Sequence, residues 1–551
     1  MLIVRTYLTQ MIKSGKFHVK DIIKADFKEI QKLSMPCLRK VVEELYKNYE
    51  NNEEFEKMNK MIMGHLEGTL NGMGKTYKSV LIKNLTFGID KAEFSPKLLN
   101  LILEVLTNPK ELYFNKIEAS LLVRFLPEMH KNKVEYEESI RRYFEKMSVS
   151  KFKELSCEDI GVVCMILTRT GEINKYFDVN IEGVSIFSLL EQVYCCNLDQ
   201  IGTKNEFFLL KCFVVNQRGQ ENFIRKLEQK VFKELGELED KDIADVAGFY
   251  STARKLHNSQ YMINDIFKPL YLELVKRFDT IDTLAKSTFL LNYWRNSTFF
   301  GMFCDGSLPD KLKNMLNQKK YFSTLDPKSR NFLIVNTISY LSHARQLDDE
   351  TMNKLIQLLN QFPNDFNENS YCVIMIYISK HSSIDLFFLS RFVKLFPLLI
   401  QDAHNYPALY LIYLNLKHRH AGIFHLTETC YTSNTLFILE KHWKEQKQLD
   451  INQSSPSQPH KELIKLLQKM NIEHFSEYYD EYFIDIAIIK YKICIEISGP
   501  GHFLFPALIP NGRTYNKQQI LQSKGWQYYS FPYYLKNSAK TFLSQIIPLE
   551  F

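Results

Sequence analysis

Residues 483–503 read FIDIAIIKYKICIEISGPGHF, and this run decides how the C-terminal part of the chain is understood. Apolar and polar residues alternate at period two, as on a strand with one buried face, whereas a helix would repeat every three or four residues. The alternation predicts two strands, Phe483–Ile489 and Lys492–Ile497, folded as a hairpin. Asp485 and Glu496 interrupt the apolar positions. A buried carboxylate is costly unless a metal, a hydrogen-bond network or a cation accompanies it. Gly499-Pro500-Gly501-His502 then ends the second strand in a sharp turn and presents an imidazole. Two acids on neighbouring strands with a histidine at the exit make a candidate site.

Working outward, residues 448–461, QLDINQSSPSQPHK, are polar and lack apolar periodicity, which predicts a linker. A helix is predicted over Glu462–Met470 before the hairpin, and another at about Thr514–Lys524, where Gly525 suits the C-terminal cap. A third strand, Trp526–Phe531, runs into Pro532, and a last helix covers about Lys536–Ile547. Residues 462–551 thus read as a small α/β domain.

Ile484-Asp485-Ile486, then Ile495-Glu496-Ile497-Ser498-Gly499-Pro500-Gly501-His502-Phe503, occur in an order that resembles the RAP domain, the RNA-binding domain abundant in apicomplexans. The likeness continues through Gly512-Arg513-Thr514, Lys517, Gly525-Trp526 and Phe531-Pro532-Tyr533-Tyr534, and covers about the last seventy residues. Domains of this kind close FAST-kinase-type mitochondrial proteins and octotricopeptide-repeat proteins of plastids. The resemblance implies RNA binding and a fold similar to the PD-(D/E)xK nuclease core. In that core two carboxylates on adjacent strands hold a divalent metal, Mg2+ or Mn2+, and Asp485 and Glu496 match those places. The lysine expected two residues after the second acid is replaced by Ser498; Lys517 is the candidate substitute, with His502 for proton transfer or phosphate contact. The tryptophan common after the last Pro-aromatic stretch is Leu535 here. Phosphate contacts are expected from Lys490, Lys492, Arg513 and Lys517, with close backbone approach at Gly499 and Pro500.

From residue 24 to 447 apolar residues recur at helical spacing, and apolar helices end repeatedly in a basic or small polar cluster. Arg169, Arg218, Arg254, Arg295, Arg345 and Lys380 mark these ends at intervals of about 35–50 residues, the period of helix-pair repeats such as the TPR and HEAT classes. Equivalent ends in a solenoid would align into a basic stripe suited to an RNA backbone. The helix macrodipole alone also favours cations at helix C-termini, so capping by itself accounts for the pattern.

Composition sets the frame. The 551 residues exceed one core, and 45% hydrophobic with 24% charged residues describes a folded chain. A net charge of +7 permits a polyanionic partner without demanding one. Residues 1–20 hold Arg5, Lys13, Lys16 and Lys20 and no acid, as in an organelle transit peptide or an ordinary basic first helix; segment 1–23 is set apart on that account. The ten cysteines form no CxxC pair, and no uncharged apolar run reaches the ~18 residues of a membrane span. Thr69–Thr76, TLNGMGKT, lacks the first glycine of a P-loop and follows a helical pattern, so it reads as a turn.

The expectation is a mostly α protein: an α-helical repeat solenoid followed by a PD-(D/E)xK-like α/β domain. As an organellar RNA-binding protein, mitochondrial or in a plastid-derived compartment, it would act in transcript or rRNA stability, processing or ribosome assembly. A metal-dependent endoribonuclease is one alternative. A structural component of an organellar ribosome, its solenoid contacting ribosomal proteins, is the other.

Overall fold

The computed structural model describes residues 94–107, 115–174, 177–196, 201–250, 261–381, 384–453, 456–533, 535 and 539–547, with isolated positions at 41, 62, 66, 82 and 85. Segment 1–23, the stretch Thr69–Thr76 and Arg254 lie outside the described residues. The chain is mostly helical, with small sheets concentrated toward the C-terminal end. No described helix is long and apolar enough to cross a membrane. Contacts divide the chain into two compact units, Met1–Glu237 and Leu238–Phe551.

In the first unit, α2 (Cys157–Gly171) packs against both α1 (Lys116–Lys131) and α3 (Thr203–Asn216). Ser156 opens α2 with a capping box: its hydroxyl accepts from Asp159 N at 3.2 Å, and the Asp159 carboxylate accepts from Ser156 N at 3.2 Å. A two-stranded hairpin of β1 (Asn180–Ile181) and β2 (Val184–Ser185) follows α2. Asn216 Nδ2 donates across the helix contact to Leu167 O at 3.2 Å, and Gly171 makes room, since a Cβ there would lie 2.0 Å from Asn216 Oδ1.

The second unit repeats this device. Among its helices α4 (Asp240–Phe249), α5 (Thr283–Phe300), α6 (Pro327–His343), α7 (Glu368–Ile378), α8 (Tyr406–Arg419) and α9 (Ser433–Gln453) form a succession, each packed on the next. The first five begin 38–44 residues apart. Asp282 and Asp326 cap α5 and α6, accepting from Leu284 N at 2.8 Å and Ser329 N at 3.0 Å. Asn292 Nδ2 donates to Ala244 O at 3.2 Å, Asn296 Nδ2 to Ala247 O, and Asn415 Nδ2 to Ser379 Oγ at 2.9 Å. Each bond satisfies a buried amide across a helix seam, so the asparagines fix register where apolar contacts alone would allow sliding.

The linker predicted over 448–461 is largely helix instead. α9 continues to Gln453, and α10 (Gln458–Lys469) starts soon after, capped by Ser457 Oγ accepting from His460 N at 3.4 Å, with Pro459 in its first turn. The boundary between compact units falls at residue 237 rather than here, and the C-terminal sheet belongs to the same unit as α4–α9.

That sheet has the order β4-β5-β6-β9, from β4 (Phe475–Asp480), β5 (Tyr482–Ile488), β6 (Ile493–Ser498) and β9 (Gln527–Pro532). The first three strands are antiparallel neighbours and β9 is parallel to β6, reached through α11 (Gly512–Ser523). Gly525, at φ 82°, follows the end of α11 as its position predicts. One face buries Ile486, Ile488, Ile493, Ile495 and Phe531 against Leu463 and Leu467 of α10 and Leu543 and Ile546 of α12 (Ala539–Ile546). The other buries Ile484, Ala487 and Cys494 with Leu521 and Trp526. A second sheet ties the helices to this region: β3 (Met302–Phe303), directly after α5, pairs in parallel with β7 (Phe503–Phe505), which pairs with β8 (Ile509–Pro510). Strand β4 and the sheet β3-β7-β8 go beyond the predicted elements.

Candidate functional site

The hairpin places Asp485 and Glu496 on adjacent strands, as its pattern predicts, but the strand is irregular at Asp485. Ile484 packs with Ala487 in one core while Ile486 and Ile488 pack in the other, so the alternation changes phase at this residue. Paired positions skip it too: Tyr478↔Ile484 and Ser476↔Ile486 bracket Glu477 and Asp485, and pairing with β6 ends at Ile486↔Ile495. The Asp485 carboxylate fills the gap, Oδ2 accepting from Ile497 N at 2.7 Å. A side chain thus completes the ladder that the backbone leaves open.

Three acids consequently form a row across the sheet, Glu477 on β4, Asp485 on β5 and Glu496 on β6. Burial first, then the charge of Asp485, pushes the Glu477 carboxyl up to about 7. The same two causes push Glu496, 2% exposed, up to about 8. Lys517 comes back from α11 as the motif implies and donates from Nζ to Glu496 Oε2 at 2.6 Å. Burial opposes the Lys517 ammonium, but the charges of Glu496 and Asp485 outweigh it and hold its pKa above the ordinary value. With its carboxyl pushed up to about 8, Glu496 is mostly protonated at neutral pH, so the Lys517 ammonium donates there to a neutral carboxyl and the contact becomes an ion pair only as pH rises.

His502 closes this end of the row. Its ring Nδ1 lies 3.3 Å from Thr514 Oγ1, and its backbone O accepts from Asn511 N at 2.9 Å. Asn511 caps α11, accepting from Thr514 N at 3.1 Å, and donates to Gly501 O at 2.6 Å, so the 499–502 turn and α11 are locked together. Burial, with the charges of Lys517 and Arg513, depresses the imidazole to about 4 against the pull of Asp485. His502 is neutral at physiological pH and available as a hydrogen-bonding group.

The donor set does not suit a divalent metal. Asp485 Oδ2 is committed to a backbone N–H and Glu496 Oε2 to an ammonium. No group of three His, Cys, Asp or Glu able to hold a metal occurs among the described residues. The two carboxyls expected at a metal site thus each have one oxygen engaged, Asp485 within the sheet and Glu496 with α11.

The expected basic contacts separate into groups. Lys490 and Lys492 lie at the opposite end of β6 from His502, where the hairpin turns through Ile489–Tyr491; Lys492 covers the Trp526 ring at 4.6 Å. They do not join the acid row, because a hairpin puts its turn and its open end on opposite sides of the sheet. Arg169 and Arg218 belong to the first unit, where Arg169 pairs with Glu172 at 3.0 Å. Arg295 is exposed on α5 beside Trp294. Arg345 and Lys380, just past α6 and α7, do come together near α11. The Arg345 guanidinium lies 4.0 Å from the Tyr515 ring centre, and Lys380 lines two adjoining cavities. Gly499 has open space around it, and Pro500 presents its carbonyl to Gly301, where a Cβ would come within 2.7 Å.

The larger cavity, about 490 Å3, lies between α5–α9 and the sheet and brings Glu496, His502, Arg513 and Lys517 to one wall with Lys380 opposite. Arg513 and Lys380 form no ion pair among the described residues. Burial, with the charges of Arg513 and Arg419, pushes Lys380 down to about 7. Nothing in the hairpin motif points to Lys380, Arg419 or Glu477; their signals are, respectively, a basic helix end, a basic helix end and an acid on an unrecognised strand. A search against protein-family models finds none that matches the chain.

Proposed function

We propose that this protein binds RNA through its C-terminal α/β region together with the basic ends of the helices packed beside it. The observation that carries the reading is the company around Lys380: Arg419 and Arg513 crowd it, and neither Lys380 nor Arg513 has an acidic partner among the described residues. Like charges gathered without counter-charge are costly unless an anion completes them, and a phosphate chain supplies that anion. The likeness of residues 484–534 to the RAP domain supports the same conclusion, and the helix pairs beginning 38–44 residues apart support a repeat solenoid that tracks a single strand.

The place of action is an organelle, a mitochondrion in the first instance, and the role is transcript or rRNA stability, processing or ribosome assembly. The test is binding of single-stranded RNA by purified protein at near-physiological salt. Affinity no greater than that of an unrelated protein of equal charge removes the proposal.

A second reading, RNA cleavage, draws on one observation only: Lys517 meets Glu496 as the missing motif lysine would. Incubating RNA with the protein in magnesium or manganese decides it, with Asp485→Ala and Glu496→Ala as controls.

A further inference from the structure

The larger cavity has features that the acid row does not use. Its volume of about 490 Å3 is that of a small-molecule pocket, and rings supply much of its wall, among them Trp294, Tyr377, Trp443, Tyr482 and Tyr528. Tyr377 stands edge-on to Trp294 with centroids 6.5 Å apart, and Trp443 to Tyr482 at 5.8 Å. Four buried polar atoms of this wall have no hydrogen-bond partner: Nε1 of Trp294, Nε1 of Trp443, Oη of Tyr528 and Oε1 of Glu496. A buried polar group left unpaired is costly. The four atoms expose almost no surface to the cavity, so its accessible wall is made chiefly by the rings, with Lys380 and Arg513 beside them.

We propose that this cavity receives one unstacked nucleotide, its base among the rings and its phosphate at Lys380 and Arg513. The idea rests on the RNA-binding reading and specifies what the site takes. Every base has a π face for the rings, and its phosphate meets two basic groups that lack an acidic partner among the described residues. An acyl chain or an apolar side chain would fill the volume and leave both basic groups unsatisfied. An RNA strand is favoured over a free nucleotide because a second cavity, about 360 Å3, shares Tyr377, Lys380 and Asn516 with the first and adds Arg345 and Arg419, its two acids Asp348 and Asp349 being paired with Lys313 and His381. A neighbouring phosphate therefore has cations waiting for it on the far side of Lys380.

Tryptophan emission reads the site directly, because two of the three tryptophans line it while Trp526 is buried in the other core. The full-length protein is titrated with single-stranded RNA of about ten nucleotides and, separately, with AMP and UMP, with anisotropy of labelled RNA as an independent measure. RNA should quench the emission. Lys380→Gln and Arg513→Gln should each weaken RNA binding about tenfold with unchanged melting temperature, whereas Lys465→Gln, which removes a charge from the exposed face of α10, should stay within about twofold. RNA binding that leaves the emission unchanged and is indifferent to both cavity variants overturns the cavity assignment and spares the RNA reading. Quenching by AMP or UMP without RNA binding overturns the RNA reading and makes the ligand a free nucleotide. Binding of neither overturns both.

Discussion

Lys517 on α11 reaches back across the sheet to place its ammonium 2.6 Å from Oε2 of Glu496, the buried acid of β6. The contact joins a helix to the strand that precedes it by twenty residues or so, and it gives a buried carboxyl its one hydrogen-bond partner on that oxygen. Lys517→Met should cost about 2 kcal/mol in urea unfolding, because it leaves the buried Glu496 carboxyl oxygen unpaired. Adding Glu496→Gln should recover most of that loss. A double variant no more stable than Lys517→Met alone would mean that the pair is not coupled.

Asp485 accepts a backbone N–H inside the sheet, so Asp485→Ala should destabilise the fold by about 1–2 kcal/mol through the orphaned Ile497 amide. In magnesium or manganese, any RNA cleavage should be the same for wild type, Asp485→Ala and Glu496→Ala. Cleavage abolished in both variants while both remain folded by circular dichroism would restore the nuclease reading.

Gly512 opens α11 against the end of α6, and a Cβ there would lie 2.0 Å from Ser342 O, a backbone atom. Gly512→Ala should lower stability by about 2 kcal/mol and loosen α11 from α6, since neither backbone can yield cheaply. Hydrogen exchange at residues 341–345 and 512–516 should rise locally. Unchanged exchange and melting would show that the two helix ends do not meet.

Acid should destabilise the site through His502. Its folded pKa of about 4 lies below the unfolded value near 6.5, so the unfolded chain binds the proton first as pH falls. The stability it contributes is complete above about pH 6.5 and is lost between there and about pH 4. The raised carboxyls of Glu477 and Glu496 act in the opposite sense, so the comparison is with His502→Gln. Between pH 7 and pH 5 wild type should lose about 1–2 kcal/mol more than the variant. Parallel losses would place the imidazole in water.

The hairpin was legible because β-branched residues at period two leave little choice, and the return of Lys517 followed from the vacancy at Ser498. Other features were hidden for physical reasons. FSEYYD, the β4 sequence, alternates poorly because both of its faces are only partly buried. In the supposed linker, Ser457 followed by Pro459 is a helix start embedded in polar residues, and bulk composition concealed it. Strand β7 owes its conformation to β3, whose residues lie about two hundred positions earlier, beyond any local pattern. The Asn216, Asn292 and Asn415 locks look like solvent-facing amides until the neighbouring helix is in place.

The parallel pairing of Met302 and Phe303 with Leu504 and Phe505 has a consequence for biosynthesis. At ribosomal rates of about 5–20 residues per second, the earlier strand leaves the exit tunnel roughly 10–40 s before its mate exists. During that interval α5 carries a bare apolar edge. Completion of the second unit must therefore await synthesis of β7, and a nascent chain released before that point would present that edge to chaperones.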